Sequence, residues 1–415
     1  MKRKLWNKDF LLLLQGKLVS NIGDVLYSVA LSYWILETTG SKAMMGVILS
    51  VQTLVKVILS PFGGVVSDRL NRKQIIVCSD FICGMTLVSI SLMGVTGHLQ
   101  VWMVLAAGIV MAVASAFFGP AVSAILPDLV EKEDLGKALS ANQTTVTLVQ
   151  IAGQSISGVL LGIFGPMMIF LGNGVSYFLS SLSEAFIQNP SQQYTQTKVT
   201  FFEDFKSGLK FVAEFKGLKI FMFVCCMINF FGNGAIVLML PYFMETPALQ
   251  GAAGYGIASA CMTVGSLAAV MIYGFLKLDG KKRRNVFTAS ILIMTVGVVM
   301  SMVFKALAGM LIAMLVFGFG NGAVNIVFSE VMYEIIPDDK RGKVMGLIST
   351  LSMGLTPISM AVFSTLADVL GTYVMFCTGM SGVVAIGLAL LGLKEPMQAI
   401  ENKPSATKIA MESGC

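Results

Sequence analysis

Asp24 is the side chain that most needs a chemical reason. It lies in "FLLLLQGKLVSNIGDVLYSVALSYWIL", residues 10–36, a run with almost no other charge. Read as a helix, this run puts Lys17, Asn21, Asp24, Ser28 and Ser32 on one face, at steps of four, three, four and four. An ionisable group at bilayer depth costs from about 2.5 kcal/mol upward, so it needs a partner or a cargo. The chemistry open to such a carboxylate is reversible binding of a proton or a small cation.

The next apolar run, 43–66, carries Lys56, with Gln52, Thr53 and Ser60 extending a polar face around it. Lys56 and Asp24 are about equally far from the turn at 39–40, which places them at similar depth. Two readings follow. Asp24 is a proton or cation site whose ionised form Lys56 favours until substrate or a proton intervenes, or the two form a permanent pair tying helices 1 and 2. Helix 5 adds Gln143, Thr147, Gln150, Gln154 and Ser157 at helical spacing. The second half has Asn229 and Asn233, then Asn321, Asn325 and Ser329. Polar residues on membrane helices more often join helices than bind ligands.

Tyr27, Tyr33, Trp34, Tyr242 and Tyr255 can wall a cavity with aromatic rings, while Trp34 and Tyr242, near outer helix ends, read as interface anchors. Glu330 and Glu334 fall toward the inner end of helix 10, where they can meet basic loops as gate contacts. Glu184 sits near the inner end of helix 6, and Asp80 is expected to balance nearby bases or Lys17. The triplet "GNG" occurs at 172–174, 232–234 and 320–322, and close helix packing is its simplest reading.

The elements that must hold these groups follow from composition. Of 415 residues, 55% are hydrophobic and 13% charged. The mean hydropathy is +0.80, far above that of a soluble domain. Apolar windows long enough to cross about 30 Å of hydrocarbon recur near 10–36, 43–66, 75–96, 100–125, 139–163, 166–187, 218–244, 253–276, 286–306, 309–334, 344–366 and 372–393. The basic start "MKRKLWNK" suggests a signal peptide, but the run after it continues without a small-residue cleavage site and reads as helix 1. Strand-like alternation is lacking, so the expected class is an all-α membrane protein of twelve transmembrane helices.

Lysine and arginine cluster at 2–8, 69–73, 132–137, 198–219, 277–284, 340–343 and 394–408, all on one side if both termini are cytoplasmic. Of 29 such residues, only Lys42 and Lys305 fall in outward loops and only Lys17 and Lys56 within spans. The net charge of +6 then reflects topology and contact with lipid headgroups, not nucleic acid. Seven scattered cysteines and one histidine, His98, offer neither a disulfide framework nor a metal site, and no cofactor is implied.

The longest polar interruption, 188–217, divides the helices six and six. Within it Phe201, Phe205, Leu209, Val212 and Phe215 share a face, as in a helix lying on the inner membrane surface or one packed on the bundle. "LPDLVEKEDLGKAL" after helix 4 is similar to "IPDDKRGKVMGL" after helix 10, displaced by about 210 residues. The expected organisation is an N-terminal bundle at 1–187, a cytoplasmic linker at 188–217, a C-terminal bundle at 218–394 and a cytoplasmic tail at 395–415. Paired six-helix bundles around a central site suit alternating exposure of that site.

Gly64, Asp68, Arg69, Arg72 and Lys73, within "SPFGGVVSDRLNRK", resemble the loop 2–3 signature of the major facilitator superfamily. The resemblance implies the major facilitator fold and a latch at the cytoplasmic ends of the bundles. It also implies a cavity lined by helices 1, 5, 7 and 10. "SNIGD" in helix 1 and "AFFGPAVSAILPDLV" at the end of helix 4 are most similar to the macrolide-efflux and enterobactin-exporter group. Three features depart from the family pattern. Asn71 stands where glycine is common, helix 4 carries no arginine, and Gln154 follows Gly153 where drug antiporters have Gly-Pro. The last two weaken a direct transfer of the proton-antiport mechanism.

The resemblance implies a monomeric exporter of hydrophobic or amphiphilic small molecules in a bacterial plasma membrane, driven by protons or cations. Lysophospholipid or siderophore transport by the same fold is the alternative. "LQGKLVS", "DLGKALS" and "KRGKVMG" lack the spacing and hydroxyl of a phosphate-binding loop, which disfavours an ATP-driven pump. A lipid-modifying membrane enzyme would need a nucleophile with a base, a metal cluster or paired carboxylates near the membrane surface, and with one histidine and no acidic pair expected at depth it is disfavoured. A transport-dead sensor of the same fold would not need an intact polar cavity.

Overall fold

The computed structural model describes residues 6–131, 134–188, 216–274, 276, 280–335 and 338–393, with side chains for these except at 68, 143, 216–222, 225 and 332–353. The chain divides into two compact units, Met1–Thr197 and Lys198–Cys415. The linker helix expected over 201–215 and the tail at 395–415 lie outside the described residues.

In the first unit α1 spans Lys8–Thr39, α2 Lys42–Arg69, α3 Arg72–Val95 and α4 Val101–Leu129. A continuous helical stretch, Leu135–Ala185, breaks at Gly165, whose φ of 70° and ψ of 168° are non-helical; α5 is therefore 135–164 and α6 166–185. Glycine adopts that conformation without a Cβ penalty, and Pro166 then suits the first turn of α6. Asn7 caps α1 by accepting from the Phe10 amide at 2.9 Å, and its own Nδ2 donates to the Leu129 carbonyl at 2.7 Å, fastening the start of α1 to the end of α4. Gly40, at φ 65°, ends α1 by donating its amide to the Leu36 carbonyl. Asn71 caps α3 by accepting from the Gln74 amide at 3.3 Å. Its φ of −66° makes no use of asparagine's tolerance for tight turns, so this departure from the family pattern contributes a helix cap.

The second unit holds α7 Lys216–Glu245, α8 Gly251–Gly274, α9 Gly280–Val303, α10 Leu307–Ile335, α11 Asp338–Leu370 and α12 Thr372–Gly392. The basic run 281–284, expected to precede the helix, forms the first turn of α9, because Arg283 lies on its packed face at 1% exposure.

Each unit repeats the same packing scheme. In the first, α1 packs along α5 and α6, α2 on α4, and α3 on both α4 and α6; in the second, α7 packs on α11 and α12, α8 on α10, and α9 on both α10 and α12. The crossings that match use glycine in the same way. Gly63 of α2 faces the Ala116 carbonyl of α4, and Gly265 of α8 faces the Leu315 carbonyl of α10. Small residues let membrane helices meet backbone to backbone, where dispersion replaces a hydrophobic driving force.

Among the described residues nine helices, α5 and α6 counted together, are long and apolar enough to cross a membrane, with a shorter apolar stretch at 354–370. The helix α1, with its polar stripe, falls outside that set. Large apolar side chains stand exposed on the helices, among them Ile163 at 68% and Val369 at 80%, as a lipid-facing surface requires. Trp34 and Tyr242 are not interface anchors. Both are buried, and Tyr242 stacks on Phe376 at 5.1 Å within a core of Met239, Phe243, Met310 and Met380. Distance from a helix end predicts depth along the membrane normal, whereas burial depends on which neighbour fills the same level.

Candidate functional site

A cavity of about 570 Å³ lies inside the first unit, lined by Lys17, Asn21 and Asp24 of α1, Lys56 and Ser60 of α2, Asp80 and Cys83 of α3, Ser115 and Phe118 of α4, Asn142 of α5 and Tyr177 of α6. Its volume falls within the range of small-molecule sites. The polar stripe of α1 points into it as its helical period requires, and carboxylates and ammonium groups share its wall with Phe118, Val122 and Leu126.

Asp24 is held from α6. Its Oδ1 accepts from the Tyr177 hydroxyl at 2.7 Å and from Asn173 Nδ2 at 3.2 Å. The amide of Asn173 is oriented in turn, since the Ser176 hydroxyl lies 3.0 Å from its Oδ1, leaving the NH₂ for Asp24. The approach of α1 to α6 depends on Gly23, where a Cβ would overlap the Asn173 carboxamide and come within 2.8 Å of Ser176 Oγ. Asn173 is the middle residue of the first "GNG". Its glycines draw attention to packing, but the asparagine reaches the site; the recurrence of the triplet on three helices is the signal that points to it.

Lys56 is exposed and lines the same cavity, yet no ion pair joins it to Asp24, so the permanent clamp between α1 and α2 is not formed. Lys17 donates to Asn142 Oδ1 at 2.8 Å. Asp80 does not balance Lys17; it faces Glu184 and Ser180 of α6.

The remaining sequence candidates lie elsewhere. Tyr27 is buried against the Phe170 ring at 5.2 Å, and Gln52 packs over Gly108. Ser28 turns back to the Val25 carbonyl, and Gln154 donates to Gln150 along α5 at 3.1 Å. In the second unit Asn233 Nδ2 donates to the Asn229 carbonyl at 2.8 Å and lies 3.4 Å from Thr356 Oγ1. Asn325 bonds the Asn321 carbonyl at 2.8 Å, and Glu330 is half-buried on the same helix.

The motif after α2 makes contacts within the first unit. Arg72 Nη1 meets Asp128 Oδ2 at 2.6 Å and the Ala124 carbonyl at 3.0 Å, while its Nε donates to the Ser67 carbonyl at 3.3 Å. It thereby ties the end of α2 to the end of α4. Arg69 is exposed and Lys73 half-exposed; the side chains of Asp68 and Glu334 lie outside the described residues. Because charge-assisted hydrogen bonds contribute about 1.5–3 kcal/mol, Arg72→Ala is expected to lower stability by about 2 kcal/mol, whereas Arg69→Ala leaves it nearly unchanged. Thermal unfolding of the two variants in detergent compares them directly.

A helical body built for lipid, with a mixed-charge cavity opened among its helices, is a membrane protein with a candidate solute site. A sequence profile described as the Major Facilitator Superfamily matches residues 14–352, with a second match at 222–410. The chain belongs to that superfamily. Macrolide efflux protein A of Streptococcus pyogenes is 23% identical over 398 residues, covering 93% of this chain and 95% of its own. The multidrug efflux pump Tap of Mycobacterium tuberculosis is 23% identical over 397 residues, covering 92% of each chain. Among solved structures, the nucleoside transporter NupG superposes with a TM-score of 0.70 at 15% identity, over 92% of this chain and 98% of its own. A bacterial homologue of the lysosomal transporter Spinster, inward-facing and unoccupied, gives 0.69 at 15% identity, over 94% and 96%. At these identities the structural likeness concerns the fold.

Proposed function

We propose that this protein exports hydrophobic or amphiphilic small molecules by alternating access, driven by a proton or cation gradient. It does so as a monomer in a bacterial plasma membrane, with both termini cytoplasmic. The observation that carries the reading is Asp24, a carboxylate held by Tyr177 and Asn173 at the wall of a cavity large enough for a drug-sized solute. The likeness to two efflux proteins supports it. In this reading Asp24 is the ion-coupling residue, and Lys56 and Asn21 adjust the charge and polarity that a solute meets. Tyr27, Ser28 and Gln52, packed within the first unit, brace the wall, and Gln150, Gln154, Asn229, Asn233, Asn321 and Asn325 supply further polar side chains within their own units. Gly64, Asp68, Arg69, Arg72, Lys73, Glu330 and Glu334 serve the conformational cycle.

Lys17 and Lys56 beside Asp24 and Asp80 favour one further substrate class. A cavity offering both signs of charge accepts zwitterions and anions, among them lysophospholipids and siderophores.

Inside-out vesicles containing the protein are expected to accumulate a fluorescent lipophilic cation when an inward-acid gradient is imposed, and to lose it when a protonophore collapses the gradient. Accumulation equal to that of protein-free vesicles, with zwitterionic lysolipid also unmoved, would overturn the proposal. The hydroxyl of Tyr177 donates one of the two hydrogen bonds on Asp24. Tyr177→Phe is therefore expected to keep the fold and reduce the initial rate severalfold, about 1 kcal/mol for one lost hydrogen bond.

A further inference from the structure

Asp80 and Glu184, at 2% and 0% exposure, are the most deeply buried acids among the described residues. They project from α3 and α6 and face each other beside Ser180. The backbone of α1 closes over them, for a Cβ at Gly16 would stand 2.9 Å from Ser180 Oγ and 3.2 Å from Glu184 Oε1. Asp80 Oδ2, Ser180 Oγ and both Glu184 oxygens are buried without a hydrogen-bond partner. Asp80 lines the cavity and Glu184 stands behind it.

Two ionised carboxylates only accept hydrogen bonds, so they cannot satisfy one another. Among the described residues no ion pair relieves them, and Lys17 is engaged with Asn142 Oδ1 at 2.8 Å. A single proton removes the conflict, because one carboxyl becomes an O–H donor to the other and like charge no longer faces like charge. We propose that Asp80 and Glu184 form a proton-binding site, holding one proton in a shared O–H···O⁻ bond and exchanging it with water through the cavity that Asp80 lines. The site is separate from Asp24 and stands whatever solute the protein carries.

Binding is a simple proton transfer. Hydronium gives its proton to Asp80 at the cavity wall and leaves as water, the proton is then shared with Glu184, and the pair passes from two negative charges to one. Among the described residues, the ionisable groups that share its surroundings are Asp24 and Lys17 on α1, Lys56 on α2, Cys83 on α3 and Tyr177 on α6, while α4 and α5 present serines, Asn142 and apolar residues to the cavity. Loading the proton therefore brings the acids Asp24, Asp80 and Glu184 into charge balance with Lys17 and Lys56.

Infrared pH-difference spectra of the protein in phospholipid vesicles test this without any substrate. Native protein is expected to show a protonated-carboxyl band that follows pH and shifts in deuterium oxide. Glu184→Gln should abolish the band of the pair, Asp80→Asn should displace its frequency, and Asp24→Asn should retain it while removing only a separate band that Asp24 itself contributes. Glu184→Asp, which keeps an acid there, should restore a displaced band and so separates loss of the site from loss of the fold. A band unchanged in both Glu184→Gln and Asp80→Asn overturns the proposal, as does a band insensitive to pH and to deuterium.

Discussion

Vesicles carrying Asp24→Asn are expected to accumulate a lipophilic cation at least about tenfold more slowly under an imposed gradient, a change of about 1.4 kcal/mol. The substitution changes charge while nearly preserving shape. An asparagine Oδ1 still accepts from the Tyr177 hydroxyl at 2.7 Å, and the neighbouring Gly23 still lets α6 approach. The lost element is the group that can alternate between ionised and protonated forms, which gradient coupling requires. Asp24→Glu retains that group on a longer stem and should keep part of the activity. Unchanged gradient-driven accumulation in Asp24→Asn, with the protonophore still abolishing it, would remove Asp24 from the coupling role while leaving the export reading standing.

Two adjacent glycines in the motif should respond to alanine with opposite sign. At Gly63 the new methyl would overlap the Ala116 carbonyl oxygen of α4 and stand 3.2 Å from the Phe117 Cα. Both are backbone atoms, so no rotamer change relieves the contact and the helices must separate. Overpacking of this kind costs about 1–3 kcal/mol, more than alanine returns through its helix propensity of about 1 kcal/mol over glycine. At Gly64 nothing lies within 4 Å of the same position, and alanine should leave stability unchanged or raise it. Thermal unfolding in detergent is expected to show a midpoint lowered by several degrees for Gly63→Ala and not for Gly64→Ala. Equal midpoints would mean that the crossing of α2 and α4 tolerates separation. Within this unit the close approach of α2 to α4 is made at Gly63 and not at Gly64.

Hydropathy and charge placement determined the membrane class and the helical fold, because each depends on a sum over twenty or so residues that no single neighbour can reverse. The face of α1 was legible for the same reason. A stripe of Lys17, Asn21 and Asp24 in an apolar helix has one polar side, and that side meets the cavity. Partners were not legible. Depth suggested Lys56 for Asp24, and Asp80 was expected to balance nearby bases or Lys17, whereas the folded chain gives Asp24 to Tyr177 and Asn173 and sets Asp80 against Glu184. Those contacts join residues more than a hundred positions apart. They depend on the rotation and stagger of α1 and α3 against α6, set by close approaches at Gly16, Gly23 and Gly84. Sequence by itself determined which residues are costly in lipid; only tertiary structure decided how that cost is met, because a one-dimensional pattern specifies a helix's polar side but not the neighbour that side is turned toward.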